Sequence, residues 1–141
     1  MAHSPGHHLT ALDHVNIRTA RVDALAAFYC DVLGLARGPR PSFSFGGAWL
    51  YCGEGAVVHL VEDASATRPP PAGDPPTLSH FAFRGTGMVA FVARLRQANV
   101  PHEVGQLPGA RVAQISLRDP DGNALHVDFA DVAEGDTPYK V

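Results

Sequence analysis

Over residues 119–129 the polar and apolar positions divide into a turn and an alternating strand. Asp119-Pro120-Asp121-Gly122-Asn123 reverses the chain, after which Leu125, Val127 and Phe129 share one face and Ala124, His126 and Asp128 the other. Two further stretches alternate in the same way. His14, Asn16 and Arg18 oppose Val15 and Ile17; His80, Ala82 and Arg84 oppose Phe81 and Phe83. A fourth stretch, Val57–Val61, places His59 among apolar neighbours. Each of these four strand-like segments carries one histidine.

The spacing between them predicts the remaining elements. A strand over Ala11–Arg18 leads into Val22, Leu25, Ala26, Phe28, Tyr29, Val32 and Leu33, which recur at helical spacing as far as Gly34, a C-terminal stop. Pro39–Gly47 holds Phe43 and Phe45 in alternation and reads as a strand, as does Ala48–Cys52 with Trp49 and Tyr51; Gly53-Glu54-Gly55 then turns into the His59 strand. The same order returns later: a strand over 78–84, a helix over 88–98, strands over 102–107 and 111–117, and the last strand.

Superposing His14 on His80 also pairs Arg18 with Arg84, Ala24 with Ala90 and Ala27 with Ala93, and brings His59 within one position of His126. The chain is therefore expected to be an α+β fold of two βαβββ modules, over 10–63 and 77–131, forming a curved mixed sheet around a cleft. Residues 1–9, with His3, His7 and His8 among Ser, Pro and Gly, read as a flexible N-terminus. Residues 64–76 read as a proline-rich linker and 132–141 as a polar tail.

Composition narrows the function. At 141 residues, 45% hydrophobic and 18% charged, the chain can build one globular core, and a net charge of −3 offers no field for a phosphate backbone. No apolar run approaches the ~20 residues of a membrane span, and Met1–Thr10 lacks the parts of a signal peptide, so a cytoplasmic protein without nucleic-acid or membrane partners is expected. Cys30 and Cys52 have no metal-type spacing and are expected to stay reduced and structural.

One histidine on a half-apolar strand is ordinarily a structural residue, but four at matching places in two modules form a pattern. Where the helices cover the Val15, Ile17, Phe81, Phe83, Leu125 and Val127 faces, the histidine faces line the cleft. Imidazoles gathered there without a cation would leave polar nitrogens unsatisfied at ~1–3 kcal/mol each, whereas a divalent metal satisfies them together.

Leu12-Asp13-His14-Val15 before an amphipathic helix ending Phe28-Tyr29-Cys30-Asp31-Val32-Leu33-Gly34-Leu35, then Ser79-His80-Phe81-Ala82-Phe83, then Asp119-Pro120-Asp121-Gly122-Asn123 before the last strand: on these motifs the chain, over about residues 10–130, resembles the vicinal oxygen chelate superfamily. That superfamily includes glyoxalase I, extradiol dioxygenases, fosfomycin-resistance thiol transferases and bleomycin-binding proteins, and it uses one scaffold for several reactions. The resemblance implies His14, His59, His80 and His126 as metal ligands. Family members commonly have Glu at the position of His126, and glyoxalase I has Glu at that of His59, where the carboxylate moves the substrate proton. Arg18 coincides with an arginine that glyoxalase I uses for the glutathione carboxylate.

An all-imidazole shell lacks that base, and oxygenation does not need one. The expected function is thus an Fe(II) dioxygenase acting on a small oxygen-chelating substrate, with Zn²⁺, Ni²⁺, Co²⁺ or Mn²⁺ as other metals. A glyoxalase I-like lyase or isomerase, with Asp128, Glu103 or a metal-bound hydroxide replacing the missing base, is the alternative, and a non-enzymatic drug-binding protein the third reading. Asp128 and Tyr51 are the expected catalytic groups; Asn16, Arg18, Trp49 and Phe45 are the expected substrate contacts. Each module is too small to bury a good core alone, and superfamily members often complete each cleft from two chains, so a homodimer is expected.

Overall fold

The structure, a computed structural model, describes residue 8 and residues 11–66, 78–106 and 111–130. Most of the expected N-terminal segment and of the linker, with Leu107 and the tail, lie outside the described residues. Within them, Val15–Thr19 (β1), Val22–Ala27 (α1), Ala36–Gly38 (β2), Gly47–Cys52 (β3) and Gly55–Glu62 (β4) make the first module. Phe81–Gly85 (β5), Met88–Gln97 (α2), His102–Gln106 (β6), Val112–Arg118 (β7) and Ala124–Ala130 (β8) make the second. The two βαβββ modules form two four-stranded mixed sheets, ordered β1-β4-β3-β2 and β5-β8-β7-β6. In each, the first strand lies parallel to the last and every other pairing is antiparallel.

Alternation decides what each sheet buries. Ile17, Ala48, Leu50, Val58 and Leu60 from the first sheet and Ala113, Ile115, Leu117, Leu125, Val127 and Phe129 from the second meet Leu25, Ala26, Tyr29, Met88, Val92 and Leu95 of the helical segments in one apolar cluster. Fully burying side chains of this size contributes ~1.5–3 kcal/mol each.

Three local expectations need correction. The first helix is not uniform: after Ala27 it widens into a π-helical turn over Phe28–Val32, where Leu33 N–H reaches the Phe28 carbonyl, five residues back. The Phe43 and Phe45 stretch is a loop; Pro39 and Pro41 lack the N–H a ladder needs, and Phe43 N–H instead closes a tight turn onto the Pro41 carbonyl at 2.8 Å. The first strand of each module also starts late, so that His14 and His80 stand one residue before β1 and β5.

The modules are joined through the turn that launches β8. Asp119 and Asp121 are buried there at 4% and 3% exposure. Tyr29 Oη donates to Asp119 Oδ2 at 2.8 Å, and Asp119 also accepts the backbone N–H groups of Asp121 and Asn123 and the Asn123 side-chain amide. Asp121 accepts Thr19 Oγ1–H at 2.6 Å and Arg21 Nη2–H at 2.8 Å, while the same Arg21 amino group reaches the Pro120 carbonyl. Buried carboxylates are tolerable only with such partners, and here three of the partners come from the other module. Pattern alone marks Asp119–Asn123 as a turn and as a motif of the family resemblance; the joint it makes is signalled in the sequence only by the acidic pair Asp119 and Asp121.

Candidate metal centre

The four histidines come together as two pairs, one per module. His14 stacks on His59 with ring centroids 3.8 Å apart and 13° between planes. In the second module His80 lies 4.7 Å from His126 at 45°. Topology explains both: the first strand of each module lies parallel beside the last, so a residue just before β1 or β5 sits next to one inside β4 or β8. His59 is buried at 8% exposure and His126 half-buried, whereas His14 and His80 are exposed.

The second contact of each imidazole determines which nitrogen remains. His14 Nδ1 donates to Asp13 Oδ2 at 2.6 Å and His126 Nδ1 to Asp128 Oδ1 at 2.7 Å, because a carboxylate can only accept. His59 Nε2 donates to the Ala56 carbonyl at 3.0 Å. His80 Nδ1 is 3.0 Å from Ser79 Oγ, which can take either role. Each ring thus has one nitrogen held by an outer partner and the opposite nitrogen without a protein hydrogen bond, the arrangement a metal-ligating histidine requires. Burial, and then the neighbouring His14, hold the His59 pKa below its ordinary value and keep the ring neutral.

The donor chemistry therefore fits a divalent metal of the imidazole-binding type. Among the described residues no three His, Cys, Asp or Glu side chains gather at a metal-sized site. The described chain carries the four imidazoles as two pairs, one per module. His80 and His126 line a cavity of about 1110 Å³ together with Gln114, Ser116 and Glu103. A smaller hollow of about 410 Å³ between the modules is lined by Asn16, Arg18 and His80.

The other expected site residues are placed as follows. Asn16 is exposed opposite His59 in the β1–β4 register. Arg18 is ion-paired to Asp63, whose pKa is lowered to about 2 by the Ser65 hydroxyl and N–H and by Arg18, so this guanidinium is neutralised by the protein itself. Tyr51 Oη donates to the Pro39 carbonyl at 2.5 Å and braces the loop that follows β2. Asp128 is engaged by His126. Trp49 stacks on His59 at 4.0 Å and 10°. Phe45, in the loop, stacks on Phe43 at 4.8 Å. Arg40, which the sequence reading passed over, lies above both phenyl rings, at 5.0 Å and 5.5 Å from their centroids.

Residues 11–127 match the family model of the Glyoxalase/Bleomycin resistance protein/Dioxygenase superfamily. A relative from Arabidopsis thaliana, named Glyoxylase I 4, is 31% identical over 124 residues, covering 85% of this chain and 71% of its own. Among solved structures, a glyoxylase/bleomycin resistance protein/dioxygenase domain from Frankia sp. superposes with a TM-score of 0.71 at 21% identity, over 91% of this chain and 96% of that one. A lactoylglutathione lyase from Agrobacterium tumefaciens gives 0.62 at 19% identity, over 86% and 95%. At those identities the structures establish the fold, and the family model spans most of the chain. This chain, with its paired-histidine modules, belongs to the Glyoxalase/Bleomycin resistance protein/Dioxygenase superfamily.

Proposed function

We propose that the protein is a divalent-metal enzyme acting on a small oxygen-chelating substrate, with its centre assembled from the His14–His59 pair of one copy and the His80–His126 pair of a second. The observation that carries this reading is the one open nitrogen on each of four imidazoles, divided two and two between modules. Two ligands are too few for a stable site, and four meet the usual need. The Tyr29–Asp119 and Thr19–Asp121 contacts fix how the two modules of one chain sit, so closure by a second copy supplies the missing pair without breaking them.

The donor set favours Fe(II) oxygenation. The metal would supply redox chemistry and open positions for substrate oxygens; the chain's own part is to hold four imidazoles by Asp13, Ala56, Ser79 and Asp128 and to offer no ligand carboxylate. A second reading, proton transfer in a glyoxalase-like lyase with Zn²⁺, Ni²⁺ or Co²⁺, is supported by the Glyoxylase I 4 relative and by Glu103. Glu103 is exposed in the same cavity and pairs in register with Ser116, which pairs with His126. It is better placed as a base than Asp128, which His126 engages.

A mixing experiment tests the shared centre. His14→Ala/His59→Ala and His80→Ala/His126→Ala chains are each expected to lose metal, and a co-refolded mixture to regain it in the copies that unite two intact pairs. No recovery in mixtures shown to contain hybrid dimers would sink the shared arrangement. Oxygen uptake with catechols and 2-oxo acids, set against deuterium wash-in from solvent into an α-hydroxy ketone, separates the two reactions.

A further inference from the structure

The loop between β2 and β3 presents apolar surface that the core does not use. Phe43 and Phe45 are 43% and 44% exposed, stacked nearly parallel at 15°, on a chain held by the turn at Pro41 and by Arg40 Nη2–H to the Phe45 carbonyl at 3.1 Å. Paired exposed rings of this size on a soluble fold mark a contact surface. Phe43 lies 6.5 Å from Trp49, and Trp49 stacks on His59, so an aromatic series runs from the loop to the first half-site. Charge is the second observation. Arg18, Arg21 and Arg37 each pair with a carboxylate, Asp63, Asp121 and Asp23. Arg40, over the two phenyl rings, pairs with none among the described residues, and its Nε is buried without a hydrogen-bond partner.

We propose that Phe43, Phe45 and Arg40 form a subsite for the aryl group of an aromatic anion, which stacks on the phenyl pair while its negative substituent meets the guanidinium. The subsite deepens the reading of His14 and His59 as half of a metal centre, since it places the remote end of the substrate one indole away from His59. Stacking requires a flat partner, and a cation fixed over ring faces selects a negative one. Remote contacts of this kind set which substrate is held in register with the reacting atoms.

The chain's single tryptophan is Trp49, so its fluorescence reports on this place alone. Benzoate, cyclohexanecarboxylate and benzamide separate flatness from charge. Benzoate is expected to quench Trp49 and to bind about tenfold tighter than either of the others, the scale of one stacking or charge contact. Arg40→Gln should abolish the preference over benzamide and keep that over cyclohexanecarboxylate; Phe43→Ser/Phe45→Ser should do the reverse. Three compounds binding alike, no binding, or variants that keep the original ranking would each overturn the subsite. The titration is run on protein as purified and after chelator treatment, with metal content measured on both. A ranking lost on chelation means the probes sit on metal and also overturns it. A ranking kept by protein that takes up no metal supports the subsite and removes the metal reading instead.

Discussion

Asp128 Oδ1 lies 2.7 Å from His126 Nδ1, two residues along the same strand face, and this contact leaves Nε2 of that imidazole without a protein hydrogen bond. In the proposed metal centre Asp128 orients the His126 ring. Asp128→Leu is expected to lower metal affinity about 10–100-fold. Asp128→Asn, which keeps an acceptor oxygen, should lose less. Titration with a metal indicator, beside a melting curve, checks this; unchanged affinity in the Leu variant would refute the orienting role.

His126 is half-buried and its strand's apolar side is supplied by Leu125, Val127 and Phe129, so the ring adds little to the core. His126→Ala should lower bound metal while shifting stability by less than about 1 kcal/mol. His126→Glu should retain metal, since a carboxylate is also a ligand, and should weaken binding of anionic compounds by reducing the local positive charge. Full metal occupancy in His126→Ala together with a large fall in melting temperature would assign this residue to structure.

Tyr29 contributes a pH-dependent part of the inter-module contact. Burial, and then the charge of Asp119, raise its pKa well above its ordinary value. The folded state keeps a proton that the unfolded chain gives up near pH 10, so the contribution is complete below about pH 10 and falls as pH rises further. Tyr29→Phe should cost about 1–2 kcal/mol at neutral pH, where Asp119 loses one donor. Above pH 10 the variant should lose stability less steeply than the parent. Denaturant melts at pH 8, 9.5 and 11 read both effects, and parallel slopes would exclude Tyr29 as their source.

Gly46 and Gly47 both stand where the aromatic loop rejoins the first sheet, but their neighbours differ. A Cβ on Gly47 would meet the Leu60 backbone carbonyl oxygen at 2.2 Å, whereas one on Gly46 would meet the flexible end of Glu62. Gly47→Ala should therefore destabilise by about 1–3 kcal/mol through displaced backbone. Gly46→Ala should cost clearly less. Equal losses in urea melts would show that the loop, and not the strand pairing, gives way.

Period-two alternation made β1, β5 and β8 legible, and with them His14, His80 and His126, because those strands have one buried and one open face; His59 stood out only as a polar residue in the apolar run of β4. The Phe43–Phe45 stretch misled for the same reason: two rings at alternate positions imitate a strand, and only Pro39 and Pro41 argued otherwise. The histidine pairs follow from the β1–β4 and β5–β8 neighbours inside each module. How the modules dock was not legible: docking is set by Tyr29, Thr19 and Arg21 meeting Asp119 and Asp121 across about 100 residues of chain, a pairing that local pattern does not encode. Arg40 was not legible because its place over Phe43 and Phe45 depends on the path of the loop and not on local pattern.

The two modules repeat one topology, yet the acidic turn exists in only one of them. Between β7 and β8 the chain has Asp119 and Asp121; at the corresponding place between β3 and β4 it has Gly53 and Glu54. The partners Thr19, Arg21 and Tyr29, in turn, belong to the first module. A tandem of two first modules would carry the receiving groups twice and the acidic turn never, and a tandem of two second modules the opposite. The halves have become complementary parts with a fixed polarity, so that exchanging them by recombination would preserve the strands and lose the joint.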